Sequence, residues 1–185
     1  MWCGCVRSDF NLATHQEEYT ITSTGKEVEM GRKLARQVEK ELTIVADEPA
    51  QQRVRTIGER IAAVCDRREL AYRFAVVEDE EVNAFSLPGG YVFVHDGLLK
   101  KTANDDELAG VIAHEVAHIA ARHAIKRYEA GIGAQLVQLA ALAARQGRAA
   151  GGLGVATQAV RLSYARQDEL DADRLAVKYL TAAGY

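Results

Sequence analysis

The chain has 185 residues, 48% of them apolar and 26% charged, with a formal net charge of −3. That composition is globular and fits a single domain. The mildly acidic balance argues against a nucleic-acid-binding surface, and no run of 18 or more apolar residues is present to cross a bilayer.

The N-terminus reads Met-Trp-Cys-Gly-Cys-Val. Cys3 and Cys5 are too close for an ordinary disulfide with each other. Cys5 after Gly4 has the look of a bacterial lipoprotein signal's end, with Cys5 as the lipidated residue, although the apolar segment expected before it is missing from this sequence. The polar stretch from Ser8 to Thr24 suits a tether. Residues 1–24 are therefore assigned as tether or signal remnant and 25–185 as the folded domain.

Apolar periodicity predicts helices over about 25–45 and 50–65. Cys65 closes the second pattern and reads as a small buried residue. A strand is expected near 72–77, then a hairpin. Its strands, 82–87 and 91–94, flank Pro88-Gly89-Gly90, a strong turn signal. His95, just past the second strand, reads as a surface or turn histidine.

The next segment carries the chemistry. Within the apolar run 108–121 stands His114-Glu115-Val116-Ala117-His118. Asn104 is placed to cap this helix, with Glu107 three residues on as in a capping box. Residues i and i+4 share one helical face, so both imidazoles can reach one ion. Glu115 is offset from both and is placed to serve as base toward a metal-activated water rather than as ligand. Two histidines and a glutamate in so apolar a run need something to hold them. A zinc hydrolase site has three protein ligands and one open position, so a third ligand is expected downstream. His123, five residues past His118, points to another part of the helix and is set aside.

An apolar segment at 132–144 follows, ended by Arg145 and Arg148 and too short to span a membrane. It reads as a helix packed on the core. Gly147, Gly151, Gly152 and Gly154 mark a turn after it, and a lid is the second reading. In 161–180 the helical period puts Glu169 and Asp173 on the apolar face and Asp168 and Asp171 on the solvated one. Glu169 is assigned as third ligand. Asp173 is expected to accept the free N–H of a ligand histidine and fix its tautomer. The competing reading pairs both acids with arginines such as Arg122 or Arg166.

Three blocks now resemble one peptidase family, that of the CAAX prenyl proteases, the HtpX-type membrane proteases and their periplasmic relatives. They are His-Glu-Val-Ala-His, Glu169-Leu-Asp-Ala-Asp173, and residues 83–94 followed by Gly97-Leu-Leu99. The resemblance covers roughly residues 72–185 and lies nearest the soluble or lipid-anchored members. It implies that His114, His118 and Glu169 hold zinc and that Glu115 is the catalytic base. It also implies that the strand Asn83-Ala84-Phe85 is an edge to which an extended substrate adds, that substrates are unfolded or damaged polypeptides, and that the protein is periplasmic, tethered through lipid at Cys5. Family members usually continue beyond the third-ligand helix, whereas this sequence stops at Tyr185, and His95 has no family role. The expected fold is α+β: a mostly helical, gluzincin-like core with a small sheet and hairpin. A second functional reading is a chaperone or assembly factor that binds extended chains at the hairpin edge and cuts rarely. A third is a metal-binding helical protein without a peptide substrate.

Overall fold

A computed structural model describes residues 7–129, 131 and 166–185. Cys5, the 132–144 segment and the glycines after it lie outside the described residues. The chain opens with an antiparallel hairpin, β1 (Arg7–Asn11) and β2 (Gln16–Thr20). Helices α1 (Thr24–Glu41) and α2 (Glu48–Ala62) follow. Next come strands β3 (Arg73–Val77), β4 (Ala84–Leu87) and β5 (Tyr91–His95). Among the described residues the further helices are α3 (Asp96–Leu99), α4 (Asp105–Ala120), α5 (His123–Glu129) and α6 (Arg166–Ala183).

Local chemistry sets the helix starts. Ser23 Oγ accepts from Lys26 N at 3.4 Å, Asp47 Oδ1 from Ala50 N at 3.3 Å, and Asn104 Oδ1 from Glu107 N at 2.9 Å. The Glu107 carboxylate reaches back to Ala103 N at 2.8 Å, which completes the expected capping box one residue early. Pro49 sits in the first turn of α2, where a missing N–H costs nothing.

The three-stranded sheet has the order β3-β5-β4, with β3 parallel and β4 antiparallel to the central β5. Alternation along the strands splits the core. Phe74, Val76, Val92 and Val94 join the cluster built by α2, α4 and α6. Val77, Phe85, Leu87, Tyr91 and Phe93 join Ala35 and Val38 of α1 on the other side. Helix α4 lies in the middle of the larger cluster. Leu108, Ala109, Ile112, Ala113, Val116, Ala117 and Ala120 are all fully buried, which explains a helix apolar over most of its circumference. Helix α6 docks on it through Ala172, Leu175, Ala176 and Tyr179. Removing a side chain such as Leu175 costs about 2–5 kcal/mol by the usual large-to-small rule. The Gln51 amide ties α2 to the sheet: its Nε2 donates to Val45 O and Val76 O, and its Oε1 accepts from Val76 N, all at 2.9 Å.

The β4–β5 turn is built as its sequence predicts. Gly89 and Gly90 have φ of +76° and +102°, which L side chains rarely adopt. Glu27, buried under this turn, receives Arg67 Nη1 at 2.8 Å and Arg122 Nε at 3.0 Å.

Two expectations need correction. The stretch read as a tether contains the β1–β2 hairpin, and the chain after it is bonded to the domain. Thr20 Oγ1 donates to Glu129 Oε1 at 2.7 Å and Thr22 N donates to the same oxygen at 2.8 Å. Its turn is held by polar groups rather than an apolar face: Asn11 Oδ1 accepts from Ala13 N at 2.9 Å, and Phe10 and Leu12 are exposed. No apolar alternation was there to be read. The second correction is His95. It is the last residue of β5, not a surface turn, and is 0% exposed.

Candidate metal centre

Helices α4 and α6 bring together the three residues proposed as ligands. His114 Nε2 lies 3.0 Å from His118 Nε2 and 3.4 Å from Glu169 Oε2, and His118 Nε2 lies 3.9 Å from Glu169 Oε1. One atom from each falls within 4.8 Å of the others. A tetrahedral zinc with ligands at about 2.0–2.1 Å has ligand–ligand edges near ~3.3 Å, so the donor set fits zinc in chemistry and size.

The outer ring nitrogens show why the inner ones converge. His114 Nδ1 is 3.0 Å from Asp173 Oδ1. A carboxylate there takes an Nδ1–H, which leaves His114 Nε2 as a lone pair. His118 Nδ1 meets His123 Nδ1 at 2.9 Å, and His123 Nε2 stands 3.8 Å from Asp168 Oδ1. One consistent assignment has His118 donate through Nδ1 to His123, which turns its own Nε2–H toward Asp168. Both α4 histidines then aim lone pairs at each other across 3.0 Å, an arrangement that calls for a positive centre between them. A proton serves poorly there. Burial, with the neighbouring His114 and His123, pushes His118 down to about 2.

Glu115 accepts from Ser86 Oγ at 2.8 Å, so β4 holds the carboxylate beside the cluster without making it part of the cluster. Burial pushes Glu115 up to about 7; the Ser86 hydrogen bond acts against that shift and the charge of Glu169 adds to it.

Asn83 and Ala84 are half-buried at the start of β4, which is an edge of its sheet. The Phe85 side chain points away from Glu115 into the α1-side cluster, where it stacks on Phe93 with ring centroids 5.2 Å apart. Only its backbone remains to meet a substrate. Arg122 is engaged by Glu27 and by Thr22 O, so it does not pair with Glu169 or Asp173.

Sequence reasoning missed three residues here. The sequence places His123 on a continuation of α4, facing away from the ligands. In fact α4 ends at Ala120, Arg122 turns the chain with φ +58°, and α5 brings the buried His123 back against His118. Asp168, read as solvated, is only half-exposed and faces His123. Asp171, also half-exposed, lies 3.8 Å from Arg174. Ser86 was within reach of strand parity: it shares the face of Ala84, opposite Phe85. Asp173, expected to face inward, is 69% exposed yet still reaches His114.

Comparison with known proteins places the chain in a family. Residues 48–185 match the profile of Peptidase family M48. The chain is 29% identical over 174 residues to the beta-barrel assembly-enhancing protease of Yersinia pestis, covering 88% of this chain and 36% of that protein. It is 31% identical over 152 residues to a putative beta-barrel assembly-enhancing protease of Vibrio cholerae, covering 77% and 31%. Over 74 residues it is 43% identical to the mitochondrial metalloendopeptidase OMA1 of Schizosaccharomyces pombe, covering 40% and 22%. The chain spans about a third of the length of the bacterial relatives it matches. With the profile extending from α2 through α6 and so over every residue of the metal cluster, the chain belongs to peptidase family M48.

Proposed function

We propose that this chain is the catalytic part of a zinc-dependent endopeptidase that hydrolyses unfolded or misfolded polypeptides, with residues 25–185 as the catalytic domain, the β1–β2 hairpin bonded to it through Glu129, and one zinc at this centre. The observation that carries the reading is the meeting of His114 Nε2, His118 Nε2 and the Glu169 carboxylate beside a base with its own hydrogen-bond partner, Ser86. His114, His118 and Glu169 are the ligands in this reading. Zinc held there supplies Lewis acidity, which polarises a peptide carbonyl and makes water acidic near neutral pH.

The chain's own groups do the rest. Glu115 takes the proton of the attacking water and delivers it to the departing amide nitrogen. Ser86 Oγ fixes which carboxylate oxygen faces the cluster. Asp173 and His123 hold the two imidazoles in the tautomer that leaves Nε2 for the metal. An extended substrate aligns along β4, with Asn83, Ala84 and the Phe85 backbone supplying hydrogen bonds. The names of the bacterial relatives, beta-barrel assembly-enhancing proteases, support a role in envelope protein quality control and a periplasmic location, and the Gly4-Cys5 sequence supports a lipid anchor at Cys5.

Cleavage of casein by zinc-loaded wild type and by Glu115→Gln tests the reading. Wild-type cleavage that the variant loses while keeping its zinc is the expected result. Equal cleavage by both sinks the assignment of the base. Zinc-loaded wild type that binds casein without cutting it favours the assembly-factor reading.

A further inference from the structure

A second group of metal-binding side chains stands at the far end of the same sheet, unused by the peptidase chemistry. His95, at the end of β5, is 0% exposed, and among the described residues neither of its ring nitrogens has a hydrogen-bond partner. A buried polar group in that condition bears its full desolvation cost and calls for an explanation. Asp79 Oδ1 lies 3.7 Å from His95 Nδ1, too far for a hydrogen bond but within the span of a shared ion. Glu81 completes the group: one donor atom each from Asp79, Glu81 and His95 lies within 4.8 Å of the others.

The group is held in place by its surroundings. Asp79 N donates to Asp96 Oδ1 at 3.0 Å, Gly97 N to Asp79 O at 3.0 Å, Glu81 N to Asp79 Oδ1 at 2.9 Å and His95 N to Asn83 O at 3.0 Å. A Cβ on Gly97 would meet Glu80 O at 2.3 Å, so glycine is what lets the 78–83 connection lie this close to the β5–α3 junction. One imidazole nitrogen with two carboxylates suits a first-row divalent ion such as zinc better than magnesium or calcium, which favour oxygen-only sites.

We propose that Asp79, Glu81 and His95 form a second divalent transition-metal site, distinct from His114, His118 and Glu169, that pins the 78–83 connection and with it the start of β4. The coupling is short. Asn83 O is bonded to His95 N, and Ser86, which holds Glu115, lies three residues further along the strand, roughly 10 Å away. An ion at one end of β4 thus fixes the strand whose other end positions the base.

The test is zinc content of the full chain after equilibrium dialysis against micromolar zinc, for wild type, His118→Ala, the pair Asp79→Asn/Glu81→Gln, and all three changes together. The half-exposed carboxylates are changed rather than His95, whose replacement risks the core. With the triple variant as background, wild type is expected to hold about two equivalents and each partial variant about one. Added zinc should raise the melting midpoint of His118→Ala and leave that of the triple variant unchanged. A single wild-type equivalent that disappears in His118→Ala overturns the second site and leaves the peptidase centre standing. A single equivalent that survives His118→Ala but not Asp79→Asn/Glu81→Gln upholds the second site and overturns the ligand assignment on α4. Two equivalents in Asp79→Asn/Glu81→Gln overturn the second site.

Discussion

The two trios place similar donors at similar spacing but are assembled differently. His114 and His118 come from consecutive turns of one buried helix, and only Glu169 arrives from elsewhere. Asp79, Glu81 and His95 come from a connection and a strand end, brought together by the parallel pairing of β3 with β5 that sets Val77 beside His95. The first trio has outer partners for its histidines, Asp173 and His123. The second has a histidine with neither nitrogen bonded among the described residues. A helical motif writes its ligand geometry into the sequence as a fixed spacing. A site made by strand register leaves no spacing to read.

The largest expected effect separates catalysis from binding within the first trio. Glu115→Gln should lower kcat about 10²–10⁴-fold with zinc content unchanged, because Glu115 touches Ser86 rather than the donor cluster. Measured zinc loss in parallel with lost activity would make Glu115 a ligand. Glu169→Ala should instead remove the α4–α6 ion and leave any ion held by Asp79, Glu81 and His95, so zinc content drops by about one equivalent. Unchanged content in that variant would mean that the third ligand lies elsewhere.

The same contrast explains what the sequence made legible. The α4 motif, its cap at Asn104 and the Pro88-Gly89-Gly90 turn follow from local rules, and Glu169 meets the α4 histidines where the helical period sets it, although Asp173 is exposed. His123 escaped because a helix end inside an apolar run carries no signal; the break is made by Arg122 in a left-handed conformation, which no glycine announces. His95 escaped because burial of a strand's last residue depends on the 78–83 connection folding over it. The β1–β2 hairpin escaped because its stability rests on polar bonds, among them Glu129 reaching Thr20 and Thr22.

Next in size is a stability effect in the metal-free protein. Glu115 is raised from 4.5 to about 7, chiefly by burial. Below 4.5 the carboxyl is neutral in both states and contributes nothing. Between 4.5 and about 7 the unfolded chain ionises while the folded one keeps its proton, so stability falls as pH rises, and the loss is complete above that window. Glu115→Gln removes this titration. Urea unfolding of the metal-free proteins should show the variant more stable than wild type at pH 8 by up to about 3 kcal/mol, with the gap shrinking toward pH 5. Glu115 is half-buried, and solvent screening reduces that figure. A gap that does not vary with pH would show that Glu115 ionises as an ordinary carboxyl.

The smallest effects belong to the groups behind the ligands. Asp173→Asn keeps the size of the side chain but removes the charge that holds the His114 Nδ1 proton, and zinc affinity should fall about 10–100-fold. Asp168 and Asp171 make a finer pair. The sequence places both on the solvated face, yet Asp168 stands 3.8 Å from His123 Nε2, whereas Asp171 stands 3.8 Å from Arg174. Because His123 in turn holds His118 Nδ1 at 2.9 Å, Asp168→Asn acts two contacts away from the metal. It should weaken zinc by less than Asp173→Asn, a few-fold. Asp171→Asn disturbs a half-exposed ion pair with Arg174, worth about 0–1 kcal/mol to folding, and a hydrogen bond from Gln167 Nε2, neither of which touches a ligand, and should leave zinc affinity unchanged. Competition with a zinc chelator reads all three. Equal losses in Asp168→Asn and Asp171→Asn would mean that the field of α6 acts as a whole, and that the route through His123 carries nothing.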